Sequence, residues 1–170
     1  MLCLSTLQND AMKIKDLFEK WQLTGLRVKT PILDMDWKPS DPDKDAAWDL
    51  YVELLTRITT QPLPDEDGVE QTALDSVYTL FALTRQTIKT HGRACIEFTR
   101  IAVIILNQVV RPFTARWHRL SQHGAFASAD QCAQFRRELH DLQVQLRNYT
   151  RLLADLADVE DLTELEADNA

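Results

Sequence analysis

The sequence predicts an all-α domain, an up-and-down helical bundle of four main helices with an N-terminal helix, a short extended strap and a long heptad-patterned C-terminal helix. Three observations carry this reading. Apolar residues recur at helical spacing in five separate segments, most with a recognisable start or stop. Four glycines and six prolines are too few for the many turns of an all-β chain. From Cys132 to Leu156 the apolar positions step by three and four residues without a break.

The first helix is expected over about Asp10–Gln22, with Ile14, Leu17, Phe18 and Trp21 on one face and Gly25 beyond its end. Residues 26–39 change period. Leu33, Met35 and Trp37 alternate with acids, which reads as an extended strap lying across the helices. An isolated strand would leave its backbone groups unpaired.

A second helix opens at Asp41 as N-cap, with Pro42 in the first turn and the acids Asp43 and Asp45 behind it. Ala47, Leu50, Tyr51, Leu54 and Ile58 form its inner face, with Trp48, Val52 and Leu55 beside them, and Gln61-Pro62 ends it. Pro62–Gly68 is the clearest loop. The third helix is expected over Glu70–His91, with Leu74, Val77, Tyr78, Phe81 and Ile88 inward and Gly92 as terminator.

The fourth helix begins near Arg93 and is apolar around most of its circumference, as a central helix is. Pro112 lacks the backbone donor that the Gln108 carbonyl requires, so it should kink or divide this helix. His123-Gly124 closes it. The fifth begins at a Ser128…Gln131 capping box. Its seam is Cys132, Phe135, Leu139, Leu142, Leu146, Tyr149, Leu153 and Leu156, a rod of about 37 Å at 1.5 Å per residue. The whole chain reads as one domain: a loose leader over 1–11, helix and strap over 12–40, bundle over 41–158, acidic tail over 159–170.

Charge is sorted along the chain. Residues 1–84 carry eight Lys and Arg against fifteen acids, residues 85–151 carry eleven against four, and residues 152–170 carry seven acids and no cation. Ten of the eleven middle cations are arginine, the side chain suited to bidentate carboxylate or phosphate contacts. Arg93, Arg100, Asn107, Arg111, His118 and Gln122 form a polar stripe along the fourth helix, with Arg116 and Arg119 nearby and Arg136 and Arg137 on the fifth. That stripe is either a cationic groove for nucleic acid or phosphate, or a solvent edge answered by the chain's own acids. The overall charge of −7 and the lack of interleaved aromatics favour the second.

No cofactor or metal motif is present. Asp41, Asp43, Asp45, Asp49 and Glu53 approach a calcium-loop register, but Ala46 occupies the glycine position and Val52 the bidentate-acid position. His118 and His123 are five apart and share no helical face; His140 has no ligand-type neighbour at metal spacing. Cys3, Cys95 and Cys132 are odd in number and widely spaced, which reads as reduced thiols in a cytoplasmic protein. The N-terminus shows no secretory pattern, and the most apolar run, Ile101–Leu106, is too short to span a membrane.

No catalytic motif is visible, so the expected function is a non-enzymatic interaction module, an adaptor or regulatory subunit. It would meet a protein partner or a second copy through the long C-terminal helix, with Phe135, Leu139, Leu142, Leu146, Tyr149 and Leu153 as interface positions. The alternative is a binder of nucleic acid or a phosphate-bearing ligand through Arg93, Arg100, Arg111, Arg116, His118, Arg119, Arg136 and Arg137. In either case the acidic tail is expected to shield the arginine surface.

Overall fold

The structure, a computed structural model, describes residues 11–165; the expected leader lies almost wholly outside them. Its helices are α1 (Ile14–Lys20), α2 (Thr30–Leu33), α3 (Asp41–Leu55), α4 (Glu70–Tyr78), α5 (Leu80–His91), α6 (Ile96–Ile105), α7 (Arg111–Gln122) and α8 (Ala129–Ala157). The all-α class is as the periodicity predicts.

α1 begins later than expected and buries Ile14, Leu17 and Phe18. The strap is not extended throughout, because α2 interrupts it with one helical turn started by Pro31. Its end does pair: the Ile14 amide donates to the Met35 carbonyl at 3.1 Å and the Trp37 amide to Met12 at 2.7 Å. An ion pair between Lys13 and Asp36 closes the same junction. The Asp36 hydrogen bond raises the Lys13 pKa above its ordinary value, and the same contact lowers that of Asp36.

α3 starts one residue earlier than the sequence implied, with Ser40 as N-cap. It ends at Leu55, short of Gln61-Pro62. The following turns bury Thr59 and Thr60, and the Thr60 hydroxyl donates to the Leu54 carbonyl at 2.7 Å. The expected third helix is interrupted at Thr79, giving α4 and α5, and it places Tyr78 outward. Gly92 ends α5 at φ +71°, a conformation costly for any residue with a Cβ.

A π-turn accommodates Pro112. Residues Leu106–Val110 widen the helix between α6 and α7, so Pro112 enters the first turn of α7, where its missing N–H costs little. The π-turn carries Gln108, whose side-chain amide pairs with the backbone of Arg27 in both directions, accepting at 2.6 Å and donating at 2.7 Å. The widened turn thus fastens the strap to the bundle.

Contacts set the helix directions. The His91–Asp49 pair at 2.7 Å joins the end of α5 to α3, so these two run antiparallel. Trp117 donates to Glu138 at 2.8 Å, and Phe113 and Phe135 lie 5.5 Å apart, so α7 packs against the first half of α8. Along α8, Gln143 donates to the carbonyls of Ile58 and Gln61 at 2.7 Å each, while Tyr51 reaches Glu160, which sets α3 antiparallel to α8. The core runs the length of this arrangement. Trp117, Phe126 and Phe135 form an aromatic cluster at one end, with Trp117 and Phe135 edge-to-face at 5.1 Å.

Candidate interaction surfaces

Every seam residue named as an interface candidate is buried inside this single chain. Phe135, Leu139, Leu142, Leu146, Tyr149 and Leu153 are all 4% exposed or less. α8 lays the seam chiefly along α3, with α4, α7 and the turn Ala125–Ala127 covering the rest. The reason is length: α8 is about twice as long as α3, and several short elements together cover what one helix could not. Burial also raises the Tyr149 phenol far above its ordinary pKa, and its hydroxyl has no hydrogen-bond partner among the described residues.

The cationic candidates divide into two groups. Arg100 pairs with Glu97 at 2.6 Å and Arg116 with Glu138 at 2.8 Å, and His118 stands 3.9 Å from Asp75 with its ring edge-on to Tyr78. Arg111 bonds Asn107 at 3.0 Å and covers the Phe81 ring. Arg136 is the most committed: it bonds Glu70 at 2.7 Å and the carbonyls of Pro64 and Gly68 at 2.8 and 2.9 Å. Arg93, Arg119 and Arg137 have no acid partner among the described residues. The eight do not converge on one site.

Arg136 and Arg137 border an open groove of about 490 Å³ with His140, Ala133, Asp65 and Asp141. Two acids share this groove with the cations, so it is electrostatically mixed. Cys132 lies near Arg136 and Glu70; burial first, and then Glu70, push its thiol pKa up, away from the reactive thiolate. Cys95 is buried and donates to the Gly92 carbonyl at 3.1 Å.

The described part of the acidic tail does not lie over the arginine stripe. It turns back at Asp158 and meets α3 and the end of α8. The Tyr51 hydroxyl donates to the Glu160 carbonyl at 3.2 Å and accepts from the Leu162 amide at 2.9 Å. Arg151 collects Asp161, Thr163 and Glu164. Among the candidate cations none touches this segment.

Sequence reasoning missed a second groove, of about 380 Å³, on the outer side of α3 and α5. Trp48, Val52 and Leu83 supply its apolar surface, and Asp49 and Glu53 its rim. Trp48 and Val52, expected beside the buried face, are 48% and 42% exposed. The signal was available in principle. The inner face of α3 takes Ala46, Ala47, Leu50, Tyr51 and Leu54, which leaves positions 48 and 52 about 60° and about 100° beyond its edge at 3.6 residues per turn.

Among the described residues no serine, threonine or cysteine side chain hydrogen-bonds a histidine ring, and no group of three metal-ligating side chains converges. No helix there is long and apolar enough to cross a membrane.

No family model, curated protein or solved structure matches this chain. Its reading therefore rests on its own geometry.

Proposed function

We propose that the chain is a non-enzymatic interaction module, an adaptor or regulatory subunit of the cytoplasm that acts by holding a protein partner. The observation that supports this is the groove beside α3, where a half-exposed tryptophan and an exposed valine stand together on a rigid two-helix support. Large apolar side chains clustered in a surface concavity are the usual anchors of protein recognition. The seam of α8 is not free to serve, because an intermolecular seam would require the bundle to open.

The test is the state of the full chain recovered from its native host under mild conditions. A stoichiometric complex heavier than the 19.6 kDa chain, by size exclusion with light scattering, is expected. Recovery only as a monomer overturns the reading.

A second reading, binding of nucleic acid or a phosphate-bearing ligand, is supported by Arg93, Arg119 and Arg137, which no acid answers among the described residues. It predicts affinity for a fluorescent single-stranded oligonucleotide that falls steeply with salt.

A further inference from the structure

α8 ends at Asp158 in the left-handed region, φ +59°, and the chain from Val159 to Leu165 carries no further helix. One side chain of α3 and one of α8 hold it. The Tyr51 hydroxyl meets its backbone twice, donating to the Glu160 carbonyl at 3.2 Å and accepting from the Leu162 amide at 2.9 Å. Arg151 meets its side chains. The Arg151 Nε donates to the Thr163 hydroxyl at 3.2 Å, and the guanidinium pairs with Asp161 at 3.8 Å and with Glu164. Asp155, one turn beyond Arg151 on α8, does not compete, because it pairs with Lys20 of α1 at 2.9 Å. The segment also shapes itself: the Asp161 carboxylate accepts the Thr163 amide at 3.0 Å and the Thr163 hydroxyl at 2.7 Å.

We propose that Tyr51 and Arg151 form a recognition slot for an acidic, non-helical peptide segment, which the chain's own tail fills until a segment of a partner protein replaces it. The partner rests on the interaction-module reading; the slot rests on the tail contacts. Those contacts set the ligand's chemistry: an aspartate two residues before a threonine or serine, an apolar residue between them where Leu162 is half-buried, and an acid after the turn. The paired carbonyl and amide contacts select a peptide, since a phosphate group offers Tyr51 an acceptor but no donor.

The tail is exchangeable because little of it is buried. Val159, Leu162 and Thr163 are half-buried, while Glu160, Asp161, Glu164 and Leu165 are exposed. Its tether gives it an effective concentration of about 1 mM, so the closed state is the resting one. The Tyr51 ring also packs against Trp48 of the α3–α5 groove, their centroids 6.0 Å apart, so the slot adjoins that groove.

The experiment opens the tail in the full-length chain. Leu162→Pro removes the amide that Tyr51 accepts, and Glu164→Lys reverses a charge that pairs with Arg151. A fluorescein-labelled peptide of residues 158–170 is titrated by anisotropy against this double variant and the unaltered chain, beside a peptide of scrambled order. Circular dichroism controls for fold. The native-order peptide is expected to bind the double variant at least tenfold more tightly than it binds the unaltered chain, and at least tenfold more tightly than the scrambled peptide does. Adding Arg151→Gln should weaken binding at least tenfold, and Tyr51→Phe, which keeps the buried ring, several-fold. No binding to the folded double variant, equal binding of the scrambled peptide, or indifference to Arg151→Gln overturns the proposal.

Should the double variant not fold, hydrogen exchange on the unaltered chain decides. Several millimolar native-order peptide should speed exchange at the Leu162 amide, and the scrambled peptide should not; equal acceleration or none overturns the proposal. The complex from the native host separates the two levels. If it forms and survives Arg151→Gln, the slot assignment fails while the module reading stands. If none forms, the module reading itself fails.

Discussion

The Asp43 carboxylate on α3 accepts the backbone amide of Phe98 on α6 at 3.0 Å, while its other oxygen accepts both the amide and the hydroxyl of Ser40 at 2.7 Å. One buried side chain thereby closes the first turns of two helices and sets them side by side. Asp43→Ala is expected to lower stability by about 2–4 kcal/mol, the loss of two caps and of hydrogen bonds to a charged acceptor. Urea unfolding followed by circular dichroism measures it; a loss below about 1 kcal/mol would show that the caps are replaceable by water.

Burial of the seam fixes what its mutants should do. Leu139 and Leu146 are no more than 1% exposed, so Leu→Ala at either should cost about 2–5 kcal/mol. Leu146→Glu should unfold the domain rather than release a folded monomer from an oligomer. Light scattering and circular dichroism on the same sample distinguish these outcomes.

A buried and a half-buried glutamate should respond to pH in opposite directions. Burial raises the Glu97 pKa despite its Arg100 partner, so the ionised carboxylate costs stability at neutral pH. That cost fades as pH falls through the raised value and is absent below the ordinary glutamate value of about 4.3. Glu97→Gln should therefore stabilise at pH 7 and change little at pH 4. For Glu70, burial pushes upward too, but the Arg136 hydrogen bond, with the backbone and charge contributions, wins and lowers the pKa. Its contribution is full above about pH 4.3 and is lost as pH falls through the lowered value. Glu70→Gln should destabilise at pH 7, with the difference closing toward pH 3. Denaturation midpoints across this range test both.

Removing residues 158–170 should destabilise the bundle, because Tyr51 loses both hydroxyl partners and Arg151 its acids. Any gain in affinity for a polyanion should come from Arg151 and vanish in Arg151→Ala. A gain that depended instead on Arg119 or Arg137 would restore the idea of a tail shielding the arginine stripe.

Gln108→Ala should loosen the strap without unfolding the bundle. Two hydrogen bonds to Arg27 disappear at a partly solvated site, a loss of about 1 kcal/mol. Hydrogen exchange should accelerate at the Arg27 amide while the amides of α8 keep their protection. Equal acceleration in both would mean that strap and bundle unfold together.

The helical class, the start of α8 at Ser128, the stop at Gly92 and the inward set from Phe135 to Leu156 were all legible in the sequence. These are local properties: spacing of apolar residues around a helix, and side chains that satisfy their own backbone within four residues. The disruption at Pro112 was legible for the same reason, since a missing donor acts on its own helix.

What only the tertiary structure decided depends on partners remote in the chain. Asp43 reads as an ordinary first-turn acid until folding brings Phe98 to it from 55 residues away. Arg136 resembles a ligand-binding cation until Glu70 and the Pro62–Gly68 loop arrive. The heptad seam is equally suited to an outside helix or an inside one, and the choice was made by whether α3, α4 and α7 together could cover it. The outward placement of Trp48 followed from that choice. A helix has only so much circumference, and once α5, α6 and α8 had taken three sides of α3, its tryptophan was left facing solvent.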